Sequence, residues 1–410
     1  MNTRFSMSLL ACLLSANFAV PAAGQIAVRG GTVYTMAGEP IKNGMIVVQD
    51  GKITAVGKAN TIKVPAGFKV LKAKVVTPGL IDAHCTVGLS GILNYDHDQD
   101  QLEHAEPIQP ELRALDAYNA HEDLVAWVRS FGVTTIHTGH APGELISGQT
   151  LIVKTTGNTV EGALLADSRA VVATLTGDAR KEDTKSPGTR GKMIAMLREQ
   201  FIKAQEYLDK KAAADGDDEK EQPARDLRLE TLGRVLKGEL ALIVTAHRAQ
   251  DIGSALRLAE EFDIKLWLDG AAEAYLLIDE IKAAGVPVLI HPTMVRPTGE
   301  RENFSFETAS KLVAAGVPVA MQAGYEAYVP KTRVLLWEAA MAAANGLSFE
   351  QALASITVDS AKILGINKRV GSLEVGKDGD LALFDGDPFE YTSHCIGVVI
   401  NGEIVSQKKR

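Results

Sequence analysis

Between residues 77 and 370 short apolar runs alternate with stretches of helical period. Residues 133–136, 240–244, 264–268, 288–290 and 319–321 are apolar runs of buried-strand length. Residues 191–207, 252–262, 272–284 and 332–344 place apolar side chains at helical spacing between them. Strands alternating with helices predict a parallel sheet with crossover helices, and this many repeats predict a closed barrel. The pattern Ala283-Ala284-Gly285-Val286-Pro287-Val288 recurs as Ala314-Ala315-Gly316-Val317-Pro318-Val319. Glycine closes a helix in the left-handed conformation and proline is tolerated where a strand begins, so the repeat marks two successive helix-to-strand junctions.

The two ends of the chain have a different texture. Ile46-Val47-Val48 and Ile53-Thr54-Ala55-Val56 flank Gln49-Asp50-Gly51-Lys52, and Val398-Val399-Ile400 and Glu403-Ile404-Val405 flank Asn401-Gly402. Asp-Gly and Asn-Gly are the residue types that a tight hairpin needs. Residues 26–76 and 371–405 are therefore expected to meet in one small sheet domain. The segment 209–226 interrupts the alternation with mixed charge and few large apolar residues, and it reads as a solvent-facing loop or the end of a helix.

Composition narrows the picture. The chain has 410 residues, 46% hydrophobic, which is enough for one large barrel and a small appendage. A net charge of −8 without a basic stripe argues against a nucleic-acid partner. At the start, Arg4 precedes an apolar run from Met7 to Val20, and Pro21-Ala22-Ala23-Gly24 offers small residues for cleavage before Gln25. That is the pattern of a signal peptide over residues 1–24, too short to span a bilayer, so an exported, periplasmic or secreted protein is expected. The mature chain then keeps Cys85 and Cys395, too few to assign a disulfide. Cys85 reads as a small buried residue on a barrel strand.

Four stretches together resemble the amidohydrolase superfamily, in its imidazolonepropionase-like branch. They are Thr77-Pro78-Gly79-Leu80-Ile81-Asp82-Ala83-His84, Gly132-Val133-Thr134-Thr135, Val244-Thr245-Ala246-His247, and residues 371–381 with Asp385-Gly386-Asp387-Pro388. The resemblance implies a (β/α)8 TIM-like barrel over residues 77–370, with a small β-sandwich domain formed by residues 25–76 and 371–410. It also implies hydrolysis by a metal-bound water. Family ligands are a His-x-His pair on the first strand, a modified lysine or glutamate on the fourth, histidines on the fifth and sixth, and an aspartate on the eighth.

Most of those positions are altered here. The first pair reads His84-Cys85-Thr86, and a threonine hydroxyl is a poor ligand beside imidazole. His247 matches the fifth-strand histidine. Asp269 stands where relatives carry the sixth-strand histidine, as a ligand or as a cap of the helix that follows. Gly324 aligns with the eighth-strand aspartate, removing a ligand and the family's general base together. The glycine should also open space in the site. Lys154 ends an apolar run, as the bridging lysine should, or is a surface lysine closing a strand.

The C-terminal ends of barrel strands carry the chemistry. Candidate catalytic residues are His84, His247 and Glu326. Candidate metal ligands are His84, His247, Asp269, His291, His137 and His140, holding one divalent metal ion such as zinc, or none. Thr86, Arg248 and Tyr325 are candidates for substrate binding. His97, His104, His121 and His394 read as surface residues. Two readings remain open. One is a hydrolase of a non-peptide carbon–nitrogen bond in a cyclic amide, amidine or acylated amino acid, with an atypical or mononuclear metal site. The other is a non-catalytic barrel that binds a small molecule or pairs with an active relative. Homo-oligomerisation also stays open.

Overall fold

The computed structural model describes residues 24–182, 185–215, 221–295, 297–325 and 335–410. The expected signal peptide falls almost wholly outside these residues, as does Glu326. In chain order the strands are β1 Ile26–Val33, β2 Ile41–Gln49, β3 Lys52–Lys58, β4 Lys69–Pro78, β5 Leu80–Cys85, β6 Val133–Gly139, β7 Ile146–Lys154, β8 Leu164–Ala166 and β9 Ala170–Thr174. They continue with β10 Ala241–Ala246, β11 Leu266–Gly270, β12 Val288–Ile290, β13 Val319–Met321, β14 Leu381–Phe384, β15 Cys395–Ile400 and β16 Glu403–Ser406.

Both chain ends join one seven-stranded sheet, in the order β16-β15-β14-β4-β1-β2-β3. The two tight hairpins, β2–β3 and β15–β16, turn where the sequence says they should. Asp50 and Gly51 have φ of 51° and 79°, and Asn401 and Gly402 have 49° and 75°, the positive values that tight primed turns require. The joint between the ends is β14 against β4, with Leu381 opposite Pro78 and Leu383 opposite Val76. A core of Ile26, Val28, Ile46, Val48, Val76, Leu381 and Val399 backs this sheet.

The barrel is built from β5, β6, β7, β9, β10, β11, β12 and β13. It closes where Cys85 bridges Gly324 in parallel and where Asp82 Oδ1 accepts the Ala323 N–H at 3.0 Å. The repeated Ala-Ala-Gly-Val-Pro-Val segments lie at helix-to-strand junctions, with Gly285 and Gly316 at φ of 64° and 83°. One strand departs from the expected parallel pattern. β7 runs antiparallel to both β6 and β9. Only residues 140–145 separate it from β6, too few for a crossover helix, so the chain must turn back as a hairpin.

That reversal relocates Lys154. At the end of an antiparallel strand it lies at the N-terminal end of the barrel, against the small sheet. Its Nζ bonds Asp378 Oδ2 at 2.6 Å and Asp380 Oδ1 at 3.1 Å, and it also bonds Asn401. Lys154 is 3% exposed, so it is neither the bridging ligand nor a surface lysine. The two cysteines are buried and free, Cys85 on β5 and Cys395 on β15. The first seven residues of the charged 209–226 segment continue a helix that spans Arg190–Asp215. Among the described residues no helix is long and apolar enough to cross a membrane.

Candidate active site

The strand period decides which side chains enter the barrel. Ile243 and Thr245, Trp267 and Asp269, and Ala320 and Gln322 are each two residues apart and so share a face. Ile81, Ala83, Ile152, Ile243, Trp267, Leu289 and Ala320 form an apolar floor inside the barrel. The polar members of the same columns lie one layer higher, towards the C-terminal ends of the strands.

Asp269 is the centre of that layer. It is fully buried, and each of its oxygens accepts two donors. Oδ1 faces His84 Nδ1 at 3.1 Å and Gln322 Nε2 at 2.5 Å. Oδ2 accepts the Thr245 hydroxyl at 2.6 Å and the Tyr325 hydroxyl at 3.1 Å. Burial would raise this carboxyl, but the adjacent His84 ring and the donors from His84, Thr245 and Gln322 outweigh it and hold Asp269 down at about 2. Asp269 is therefore ionised, and His84 Nδ1 carries the proton of the bond between them. The other ring nitrogen of His84, Nε2, is buried and has no partner among the described residues. The backbone N–H of His84 donates to Asp82 Oδ1 at 3.3 Å. Burial pushes Asp82 up to about 7, against the N–H groups of Ala323 and His84 that favour its ionised form.

The remaining histidines divide. His137 lies beside His84, ring centroids 5.7 Å apart, but both its nitrogens are spent: Nδ1 on Ala83 O at 2.7 Å and Nε2 on Thr150 Oγ1 at 2.6 Å. Burial, then the neighbouring His84, lower it to about 3. His291 packs 6.5 Å from the Tyr325 ring and lies 3.4 Å from the Glu338 carboxylate. It also corrects the expectation of open space at Gly324. A Cβ there would overlap the His291 ring, and Gly324 has φ +83°. The volume left by the family aspartate is thus filled by imidazole. His247 receives Arg301 Nε on its Nε2 at 3.2 Å, and burial, then the Arg301 charge, lower it to about 4. His140 is joined to none of these. It packs on Gly148, and burial lowers it to about 4.

Of the expected substrate-binding residues, only Tyr325 joins the cluster. Thr86 is held in a local turn, accepting the Ser90 hydroxyl at 2.9 Å. Arg248 points outward to Glu302 at 2.6 Å and Glu273 at 3.3 Å. Of the histidines assigned to the surface, His104 caps the buried Glu144 at 2.9 Å and His394 lies 3.2 Å from Asp385. The sequence reading gave no role to Asp82, Thr245, Gln322 or Arg301. Thr245 and Gln322 had a usable signal, since each stands two residues before a family site position, His247 and Gly324.

These groups do not make a metal site. Among the described residues no three of His, Cys, Asp and Glu are placed to hold an ion. The chemistry of the donors agrees: Asp269 has no lone pair to give, because four protein donors already occupy its oxygens. His137 likewise has no free nitrogen. What the arrangement can do is hold a carboxylate behind an imidazole whose far nitrogen is left unspent among the described residues.

The sequence pattern of the amidohydrolase family matches residues 269–406. The amidohydrolase tasK of Hapsidospora irregularis is 24% identical over 390 residues, covering 88% of this chain but 39% of that protein, so the chain spans well under half of that relative's length. The imidazolonepropionase of Fusobacterium nucleatum is 24% identical over 400 residues, 89% of this chain and 92% of its own. Among solved structures, an amidohydrolase from Thermotoga maritima is 29% identical and superposes with a TM-score of 0.88, covering 94% of this chain and all of that one.

Proposed function

The chain belongs to the amidohydrolase superfamily, and from that premise we propose that it hydrolyses a carbon–nitrogen bond outside the peptide backbone, with His84 as the general base. The substrate is a small molecule: a cyclic amide, an amidine or an acylated amino acid. One observation carries the reading. His84 Nδ1 is engaged by the ionised Asp269, and Nε2 is buried with no partner among the described residues.

In the neutral ring Nε2 is the lone-pair nitrogen. A water bound there gives its proton to Nε2 as its oxygen attacks the carbonyl or amidine carbon, and the carbon–nitrogen bond breaks as the departing nitrogen takes that proton back. Asp269 steadies the imidazolium formed between the two steps. Thr245, Tyr325 and Gln322 hold Asp269 in place, so little reorganisation is needed when charge develops. A divalent ion supplies an activated water and a polarised carbonyl in related enzymes. No step here is routed through one, because the oxygens of Asp269 already accept four donors.

The test is turnover by chelator-dialysed protein across a panel of cyclic amides, amidines and N-acyl amino acids. We expect metal-stripped wild type to keep its activity and His84→Gln to lose on the order of 10³-fold in kcat while folding normally. Activity that disappears on dialysis and returns with zinc would overturn the His84 mechanism. No turnover of any panel member would leave the non-catalytic binding reading.

A further inference from the structure

The segment after β12 contains a pattern of charges that the hydrolytic mechanism does not use. Gly299–Arg301 forms a single helical turn followed by Glu302. Glu300 is anchored, accepting the Gly177 N–H at 3.0 Å and Arg190 Nη2 at 3.1 Å. Glu302 is anchored by Arg248 Nη1 at 2.6 Å. Arg301, between them, turns inward instead, and its one side-chain bond among the described residues is Nε to His247 Nε2. No carboxylate among the described residues lies within ion-pair distance of its guanidinium.

Two acids are close enough to act on His247, the buried Asp269 and the exposed Asp178. Asp269 holds four donors, and Asp178 receives the Thr176 hydroxyl at 3.0 Å. The Arg301 charge also reaches Tyr325, whose hydroxyl bonds Asp269. The guanidinium therefore stands on His247 and near Tyr325 with its terminal N–H groups unmatched among the described residues. Next to it, His247 Nδ1 is buried and has no partner among the described residues. A planar fork of donors fixed at one edge is suited to a two-oxygen anion.

We propose that Arg301, seated on His247, receives a carboxylate carried by the substrate, so that the substrate of the His84 site is an organic acid. The inference rests on the reading of His84 as the hydrolytic centre only for which molecule is bound; the anion site stands on its own geometry. Fixing Glu300 and Glu302 to neighbouring cations holds the turn, and the Nε bond to His247 aims the remaining N–H groups. The carboxylate then orients the scissile bond towards His84 without entering the chemistry. Arg301 is in this sense a specificity residue.

Isothermal titration of N-acetyl amino acids against the matching N-acetyl amino amides tests it directly. Wild type should bind the acid about tenfold more tightly than the amide, the ratio expected for a charge-assisted pair. Arg301→Gln should bring the two within about twofold of each other, and Arg301→Lys should restore part of the difference. Arg257→Gln, which alters an exposed arginine bonded to Ser254 on its own helix, should keep the full preference. His84→Gln should also keep it while hydrolysis is lost, which separates this inference from the proposed mechanism. A wild type that does not bind the acid, or binds acid and amide equally, overturns the proposal. So does an Arg301→Gln variant that is folded and keeps the preference.

Discussion

The barrel buries charge at both of its ends, and the two ends treat it differently. At the N-terminal end Lys154 is surrounded by Asp378, Asp380 and Asn401, and Lys52 and Arg369 add to Asp378 at 2.6 and 2.8 Å. At the C-terminal end Asp269 is equally well satisfied, but the groups around it are not. Among the described residues, His84 Nε2, His247 Nδ1 and Gln322 Oε1 are buried without hydrogen-bond partners. A buried polar atom left unpaired costs about 1–3 kcal/mol. The network at Lys154 is closer to closed: of its atoms Asp380 Oδ2 lacks a hydrogen bond, and it keeps the ion pair with Lys154 at 3.0 Å. The open atoms at the other end cluster around His84, where a water and a substrate have bonds to make.

The largest effect that would sharpen this contrast is structural. Lys154→Met should remove the cation from Asp380, which keeps little beyond the Asn401 N–H at 2.8 Å. Asp378 retains Lys52 and Arg369. Denaturant unfolding should show a loss of about 3 kcal/mol, typical of a broken buried pair. Turnover per folded molecule should stay unchanged. If Lys154→Met were as stable as wild type, or if it lost activity while folded, the division between a closed and an open end would fail.

A smaller effect is expected at Gly324. Restoring the family residue by Gly324→Asp should not restore a family site, because the side chain must displace the His291 ring and adopt φ near +83°. We expect a stability loss of about 1–3 kcal/mol and no gain in activity with added zinc. A stable variant whose activity zinc raises would show that the His291 ring yields easily.

The smallest effect is on the pH profile of stability. His137, His140 and His247 are lowered from 6.5 to about 3, 4 and 4. The unfolded chain binds those protons first, so their contribution is complete above pH 6.5 and is lost as the pH falls towards 4. Asp82 has the opposite slope. Its carboxyl is raised from 3.8 to about 7, so its contribution is present below pH 3.8 and is lost as the pH rises to 7. Three histidines outweigh one aspartate, and thermal melts should show stability rising from pH 4 to 6.5. Asp82→Asn keeps an acceptor for Ala323 and His84 and removes the opposing slope. It should melt higher than wild type near pH 7 and show a steeper rise from pH 4. A flat profile for both proteins would contradict burial as the cause of these shifts.

Local sequence carried much of this molecule. The hairpins at Asp50-Gly51 and Asn401-Gly402 were legible because a tight turn needs positive φ, and few residue types supply it. The alternation of apolar runs and helical periods was enough for a barrel. The Thr77–His84 motif placed His84 on its first strand, and residue spacing set the columns in which Thr245, Asp269 and Gln322 stand. What the sequence could not carry were pairings between distant segments. The direction of β7 depends on a loop of six residues between strands that are both apolar, so periodicity was blind to it, and with it to the partners of Lys154. The filling of Gly324 by His291 and the saturation of Asp269 arise between strands far apart in the chain. Whether a nitrogen or an oxygen is spent or free is a question of distances between such segments, and only the tertiary structure fixes those distances.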